Sequence, residues 1–163
     1  MQPARWARTF LTIGTLWLVV AGVALAGCSP AGNVTLPGTG PLLTVRVHGG
    51  MCMDGACDNT IVLERDGRVH DTDPPDTDLG RVDNAAMAAL TGAMGSADFT
   101  ALKARPFTGE CPVAFDGQEL VFTFNPPGIS HTLASCEVEI DWSNPLFVAV
   151  GAALGEWIPL PLM

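Results

Sequence analysis

The run His48-Gly-Gly-Met51-Cys52-Met53 gathers an imidazole, two thioethers and a thiol within six residues. Soft ligands of that kind suit Cu(I). The same residues also read as a disulfide loop with its methionines packed on the core, because Cys57 follows five residues later and exported cysteines oxidise. Asp71, Asp73, Asp76 and Asp78 offer the oxygen ligands that Ca²⁺ takes. Their spacing lacks the glycine and the glutamate of an EF-hand loop, and Pro74-Pro75 between them favours a solvated loop. His48, His70 and His131 fall on separate strands or strand ends, and the neighbours Ser130-His131 are no catalytic pair by adjacency alone. The chain has no Gly-x-Ser-x-Gly elbow, no His-Glu-x-x-His, no P-loop and no Gly-x-Gly-x-x-Gly. The expectation is therefore a protein that is not an enzyme and holds no metal or cofactor.

The N-terminus carries a different chemistry. Arg5 and Arg8 make a cationic start, and Phe10 to Ala26 contains no charge. That length, with Gly14 and Gly22 inside, suits a signal peptide better than a bilayer-spanning helix, the competing reading. The run ends in Leu25-Ala26-Gly27-Cys28, which resembles the bacterial lipobox. Cleavage after Gly27 would remove residues 1–27 and free Cys28 to take a thioether-linked diacylglycerol. Anchoring of that type needs more than one acyl chain, each methylene adding about 0.8 kcal/mol. The expected location is the extracytoplasmic surface of a cell membrane or outer membrane, with membrane lipid as one partner through acylated Cys28. Residues 28–40, rich in Gly, Pro, Ser and Thr, read as a flexible tether reaching roughly 20 Å. Residues 41–163 read as one α+β domain.

Composition narrows the partners. Past residue 27 the chain keeps all seventeen acidic residues but six of the eight basic ones, a formal charge of −11 with histidine neutral. Phosphates would be repelled, so no nucleic acid is expected. Four cysteines remain beyond Cys28: Cys52, Cys57, Cys111 and Cys136. An even count in an exported domain implies two disulfides, for which three pairings exist. The simplest joins Cys52 to Cys57 across a short loop and Cys111 to Cys136 across a longer one.

The positioning elements follow from periodicity. Leu42 to His48 alternates, with Leu43, Val45 and Val47 on one face. Thr60–Arg65 and Arg68–His70 flank Asp66-Gly67, the signal for a hairpin with a type I′ turn. Residues 71–78 read as a loop. Asp83 caps a helix, Val82 and Met87 staple its start, Leu90 and Met94 lie in its apolar stripe, and Gly95 ends it. Asp98 starts a short turn that buries Phe99 and Leu102. Asp116-Gly117 reads as a second hairpin signal before Gln118–Phe124, whose Leu120, Phe122 and Phe124 share a face. Asn125-Pro-Pro-Gly128 then turns the chain into one long strand over 131–141. Asn144 and Pro145 open a helix with Leu146, Phe147, Val150 and Leu154 inward and Gly155 as its stop. The sum is an antiparallel sheet of about five strands with two helices on one face, stapled by two disulfides.

Gly49-Gly50-Met51, the Asp66-Gly67 hairpin, Ala97-Asp98-Phe99-x-x-Leu102, Asp116-Gly117-Gln118 and Pro145-Leu146-Phe147 follow an order similar to the emfourin family, small inhibitors of thermolysin-like metallopeptidases. The likeness spans residues 42–155. The resemblance implies a protease inhibitor with a metallopeptidase as protein partner. It departs from the family pattern in its two cysteine pairs, and no protease-contacting residue of the family carries over to a position here.

Three expectations compete. A tethered binding module would use the loop Gly49, Gly50, Met51, Met53 and Asp54 and expose both methionines. A structural envelope lipoprotein would expose the Trp157 tail or the acidic loop and bury the methionines. A metal-binding lipoprotein would keep free thiols near His48.

Overall fold

The computed structural model describes residues 40–52 and 55–160. The expected signal peptide over 1–27, Cys28 with the expected tether up to residue 39, and Met53 and Asp54 of the expected partner loop lie outside the described residues. No helix among the described residues is long and apolar enough to cross a membrane.

The fold is α+β. Six antiparallel strands run in the order β6-β5-β4-β1-β7-β8: β1 Leu43–Gly49, β4 Asn59–Leu63, β5 Arg68–Asp71, β6 Thr77–Arg81, β7 Gln118–Phe124 and β8 His131–Ala134. A separate ladder pairs β2 Met51–Cys52 with β3 Gly55–Ala56. Helices α1 Asn84–Ser96, α2 Phe99–Lys103 and α3 Pro145–Leu154 complete the set, three where two were expected.

Period-two patterning sets the sheet. Leu43, Val45 and Val47 of β1 lie in register with Leu63, Ile61 and Asn59 of β4, and with Phe124, Phe122 and Leu120 of β7. All of these but Asn59 are buried. Met87, Leu90 and Met94 of α1 and Leu146, Phe147, Val150 and Leu154 of α3 pack on that same face. The caps form as their side chains allow: Asp83 accepts from the N–H groups of Ala85 and Ala86, Asp98 from Ala101, and Asn144 from Leu146.

Four expectations need correction. The hairpin at Asp66-Gly67 is not type I′. Only Gly67 is left-handed (φ 89°), and its N–H donates to the Glu64 carbonyl. Asp66 stays on the negative-φ side, giving a type I turn closed by a glycine bulge, which spares a side-chain-bearing residue the αL region. The loop expected over 71–78 ends early, because Thr77–Arg81 is an edge strand on β5. Its Asp and Gly disguise it, and only pairing to β5 makes it a strand. Helix α1 runs past Gly95 to a cap at Ala97.

Finally, the strand expected over 131–141 stops at Ala134. Ser135 closes on β7 by donating its N–H to the Leu120 carbonyl, and residues 135–137 turn away. Val138 instead bridges to Pro106, with Phe107 N–H donating to the Glu137 carbonyl and Glu139 N–H to the Arg105 carbonyl. The alternation through Val138 and Ile140 is real, but it serves a different partner.

Phe147 is 1 % exposed and meets Phe122, Phe124 and Trp142 edge-on, with ring centroids 5.4, 6.4 and 5.6 Å away. Phe147→Ala is expected to cost about 3–5 kcal/mol in urea denaturation. A loss below about 1 kcal/mol would mean that this ring does not hold α3 on the sheet.

Candidate functional site

The expected partner loop forms the tip of the β1–β4 hairpin. Its entry is set by two consecutive left-handed glycines, Gly49 (φ 81°) and Gly50 (φ 85°). This pair breaks β1 off its ladder and starts β2 in a new direction, since few residues other than glycine hold such angles cheaply. Gly49 is also close to a neighbour: a Cβ there would lie 2.9 Å from Val113 and 3.2 Å from the Gly117 carbonyl. Met51 follows, 76 % exposed.

The base of the loop is pinned by Asp58. One oxygen of its carboxylate accepts from His48 Nδ1 at 2.7 Å and from the Gly49 N–H at 3.2 Å. The other lies 3.5 Å from the Arg46 guanidinium. The His48 hydrogen bond first, and the Gly49 N–H next, hold the Asp58 carboxyl below the usual carboxylate range against the opposing effect of partial burial. Val47, Cys57, Asp58, Asn59, Gln118 and Pro159 line a cavity of about 270 Å³ beneath, so the loop stands over a recess.

Against the loop lies a 3-10 turn, Pro112–Phe115, framed by Cys111. The disulfide Cys111–Cys136 joins residues 25 apart with Cα atoms 5.2 Å from each other. Both of its cysteines lie among the described residues. The Cys57 sulfur is also in a disulfide, and the Cys52 side chain lies outside the described residues. Asp116-Gly117 does not turn a hairpin, contrary to expectation. Asp116 (φ 59°) ends the 3-10 turn, and the Gly117 N–H donates to the Pro112 carbonyl at 2.8 Å. A dipeptide that accepts left-handed geometry terminates helices as readily as it joins strands.

The remaining candidates scatter. Among the described residues no three His, Cys, Asp or Glu side chains are placed to hold a metal ion. Of the acidic run, Asp71 accepts from the Asp73 N–H, Asp76 binds His70, and Asp78, inside β6, accepts from the Gly80 N–H. The His131 ring stacks on Phe99 at 4.0 Å. Trp142 packs on Phe122 and Phe147. The C-terminal tail folds back: Ile158 is buried, and Trp157 is half-buried beside Gly80.

One arrangement had no signal in the sequence. His70, 9 % exposed, lies between two carboxylates, with Asp76 3.1 Å from Nδ1 and Glu64 3.1 Å from Nε2. It faces away from the helices, in register with Val62. Residues six before and six after it meet only because a hairpin turn and an edge strand fold towards one another. Burial disfavours its charged form, but the Asp76 and Glu64 hydrogen bonds outweigh it and raise the pKa above the ordinary histidine value.

A histidine raised in the folded state stabilises fully below its unfolded pKa, about 6.5, and loses that contribution as pH rises through the folded value. The stability gap between the parent and His70→Gln is therefore expected to shrink as urea titrations move from about pH 6 to about pH 9. A gap that widens with pH would contradict the two-carboxylate geometry. Separately, Asp58→Ala is expected to speed proteolytic nicking at residues 50–57 while leaving core unfolding close to the parent's, read by limited digestion and mass spectrometry. An unchanged digestion pattern would show that Asp58 does not pin the loop.

The chain matches no protein-family model and no curated protein sequence.

Proposed function

We propose that this chain is a membrane-tethered binding lipoprotein that presents the loop from Gly49 to Asp58 to a protein partner, and that the partner is a secreted or envelope protease of the metallopeptidase class. The observation that carries this reading is the exposure of Met51, 76 % open to solvent on a loop whose base is fixed by Asp58. A large apolar side chain presented on a constrained loop supplies an anchor that a partner's pocket can bury. A loop whose base is pinned by Asp58 loses less entropy on docking than a free one. A Cys52–Cys57 disulfide, with Cys57 oxidised, would stiffen it further.

The alternatives fit the geometry less well. A structural lipoprotein working through its tail is disfavoured by the packing of Ile158 and Trp157. A Cu(I) site is disfavoured by the oxidised Cys57 and by the engagement of His48 with Asp58. Tethering through Cys28 suits the binding reading. The chain enters β1 beside Gly40 and Pro41, and the loop stands at the strand's far end, about 23 Å away for seven residues.

The test is inhibition of a purified thermolysin-like metallopeptidase by the full chain in detergent. Inhibition that weakens about tenfold or more in Met51→Ser, the equivalent of ~1.4 kcal/mol, is the expected result. No inhibition at large excess would remove metallopeptidases as partners. A pull-down from native envelope with the parent and the Met51→Ser, Met53→Ser double variant then decides the binding reading, which fails if both recover the same proteins.

A further inference from the structure

Among the described residues the two most exposed large apolar side chains are Met51, 76 % open, and Phe115, 67 % open. They lie on different segments that touch. The backbone leading to Met51 passes directly over the 3-10 turn carrying Phe115. A Cβ at Gly49 would be 2.9 Å from Val113, and one at Gly50 would be 3.0 Å from Gln118 and 3.6 Å from the Asp116 carbonyl. Gly49 therefore serves the close approach as well as the turn, and Gly50 serves the turn.

The turn is as firmly mounted as the loop. Cys111 ties its start to Cys136, the Ala114 N–H donates to the Cys111 carbonyl, and the Gly117 N–H donates to the Pro112 carbonyl. Two large apolar groups on stiff, mutually braced backbone make a preorganised contact.

The basic side chains nearest the loop, Arg46 and His48, are both engaged with Asp58, and the segments that carry Met51 and Phe115 are otherwise acidic. Residues 49–58 and 106–119 hold Asp54, Asp58, Glu110, Asp116 and Glu119, and no Lys, Arg or His. Asp58 is occupied by His48 and Arg46, and Glu119 accepts from the Cys136 N–H. Glu110 and Asp116 remain exposed beside Phe115 in the chain. An anionic lipid surface would repel this rim. A second copy meeting it tip to tip would bring the same acids face to face.

We infer that Met51 and Phe115 form a two-point apolar contact for a single protein partner whose surface offers an apolar cleft with a cationic rim. This rests on the binding reading of the Gly49–Asp58 loop and adds to it the second anchor and the chemistry of the partner.

The full chain is expressed in its own cells with a photoreactive benzoylphenylalanine at position 51, 115 or 129. Position 129 is the control: Ile129 is 57 % exposed and lies near His131, at the opposite end of β7. Positions 51 and 115 are expected to crosslink one and the same protein, and position 129 not to reach it. With the photoreactive group at position 51, Phe115→Ser and Glu110→Lys are each expected to cut the yield about tenfold, without lowering the thermal midpoint. Raising salt from about 0.1 to about 0.5 M should lower the yield of the parent in washed envelopes.

A crosslink from position 51 alone overturns the two-point contact while leaving the loop reading standing. Crosslinks from neither position overturn both. Products joining two copies, or joining lipid, overturn the assignment of the occupant. A yield unchanged by salt and by Glu110→Lys overturns the cationic rim.

Discussion

The sheet has one covered face, and the aromatic rings on β7 decide what covers it. Phe122 and Phe124 are fully buried, with centroids 6.0 Å apart, and Phe147 of α3 meets both edge-on. Trp142 closes the cluster from the segment before α3, and Phe99 of α2 reaches Phe124 at 5.5 Å. Tilted and edge-to-face rings bury much area and add a directional preference that aliphatic contacts lack. The register of β7 on β1 then follows, because a slip by one residue would turn every phenylalanine to solvent.

From that register comes the geometry of the tip. Gly49 pairs with Gln118 at the last rung between β1 and β7, so the loop after Gly49 and the turn before Gln118 must emerge side by side. The glycine pair lets the two backbones pass closely, and the Cys111–Cys136 bond fastens the turn to the segment leaving β8. Core packing and the exposed surface are thus linked through a single strand pair. The chain enters at one end of that pair and displays Met51 at the other.

The uncovered face is polar and organised by ion pairs. Arg46, His48 and Asp58 cluster near the tip, while His70, Glu64 and Asp76 cluster towards the β6 edge. Exposed pairs of the first kind contribute little to stability and mainly fix loop geometry. The second cluster is sheltered and couples the edge strand to the β4–β5 turn. An acidic chain with few bases spends its cations close to home: Arg46, Arg68, Arg81 and Arg105 each lie within 4.0 Å of a carboxylate.

The sequence by itself determined the class of fold, the inward faces of β1 and β7, and the caps at Asp83, Asp98 and Asn144, because these depend on neighbours a few residues away. It also marked Gly49 to Asp58 as the segment to watch, from the spacing of its glycines, methionines and cysteines. What it did not determine is where each pattern finds its partner. Thr77–Arg81 becomes a strand only by lying on β5, and Val138 continues its alternation against Pro106 rather than β7. Asp66-Gly67 and Asp116-Gly117 are the same dipeptide, yet one closes a bulged hairpin and the other ends a 3-10 turn. Glu64 and Asp76 meet at His70, and Gly49 meets Val113, across segments that no local pattern links. Only the tertiary structure decides such pairings, because their free energy comes from burial and hydrogen bonding between segments that local preference does not bring together.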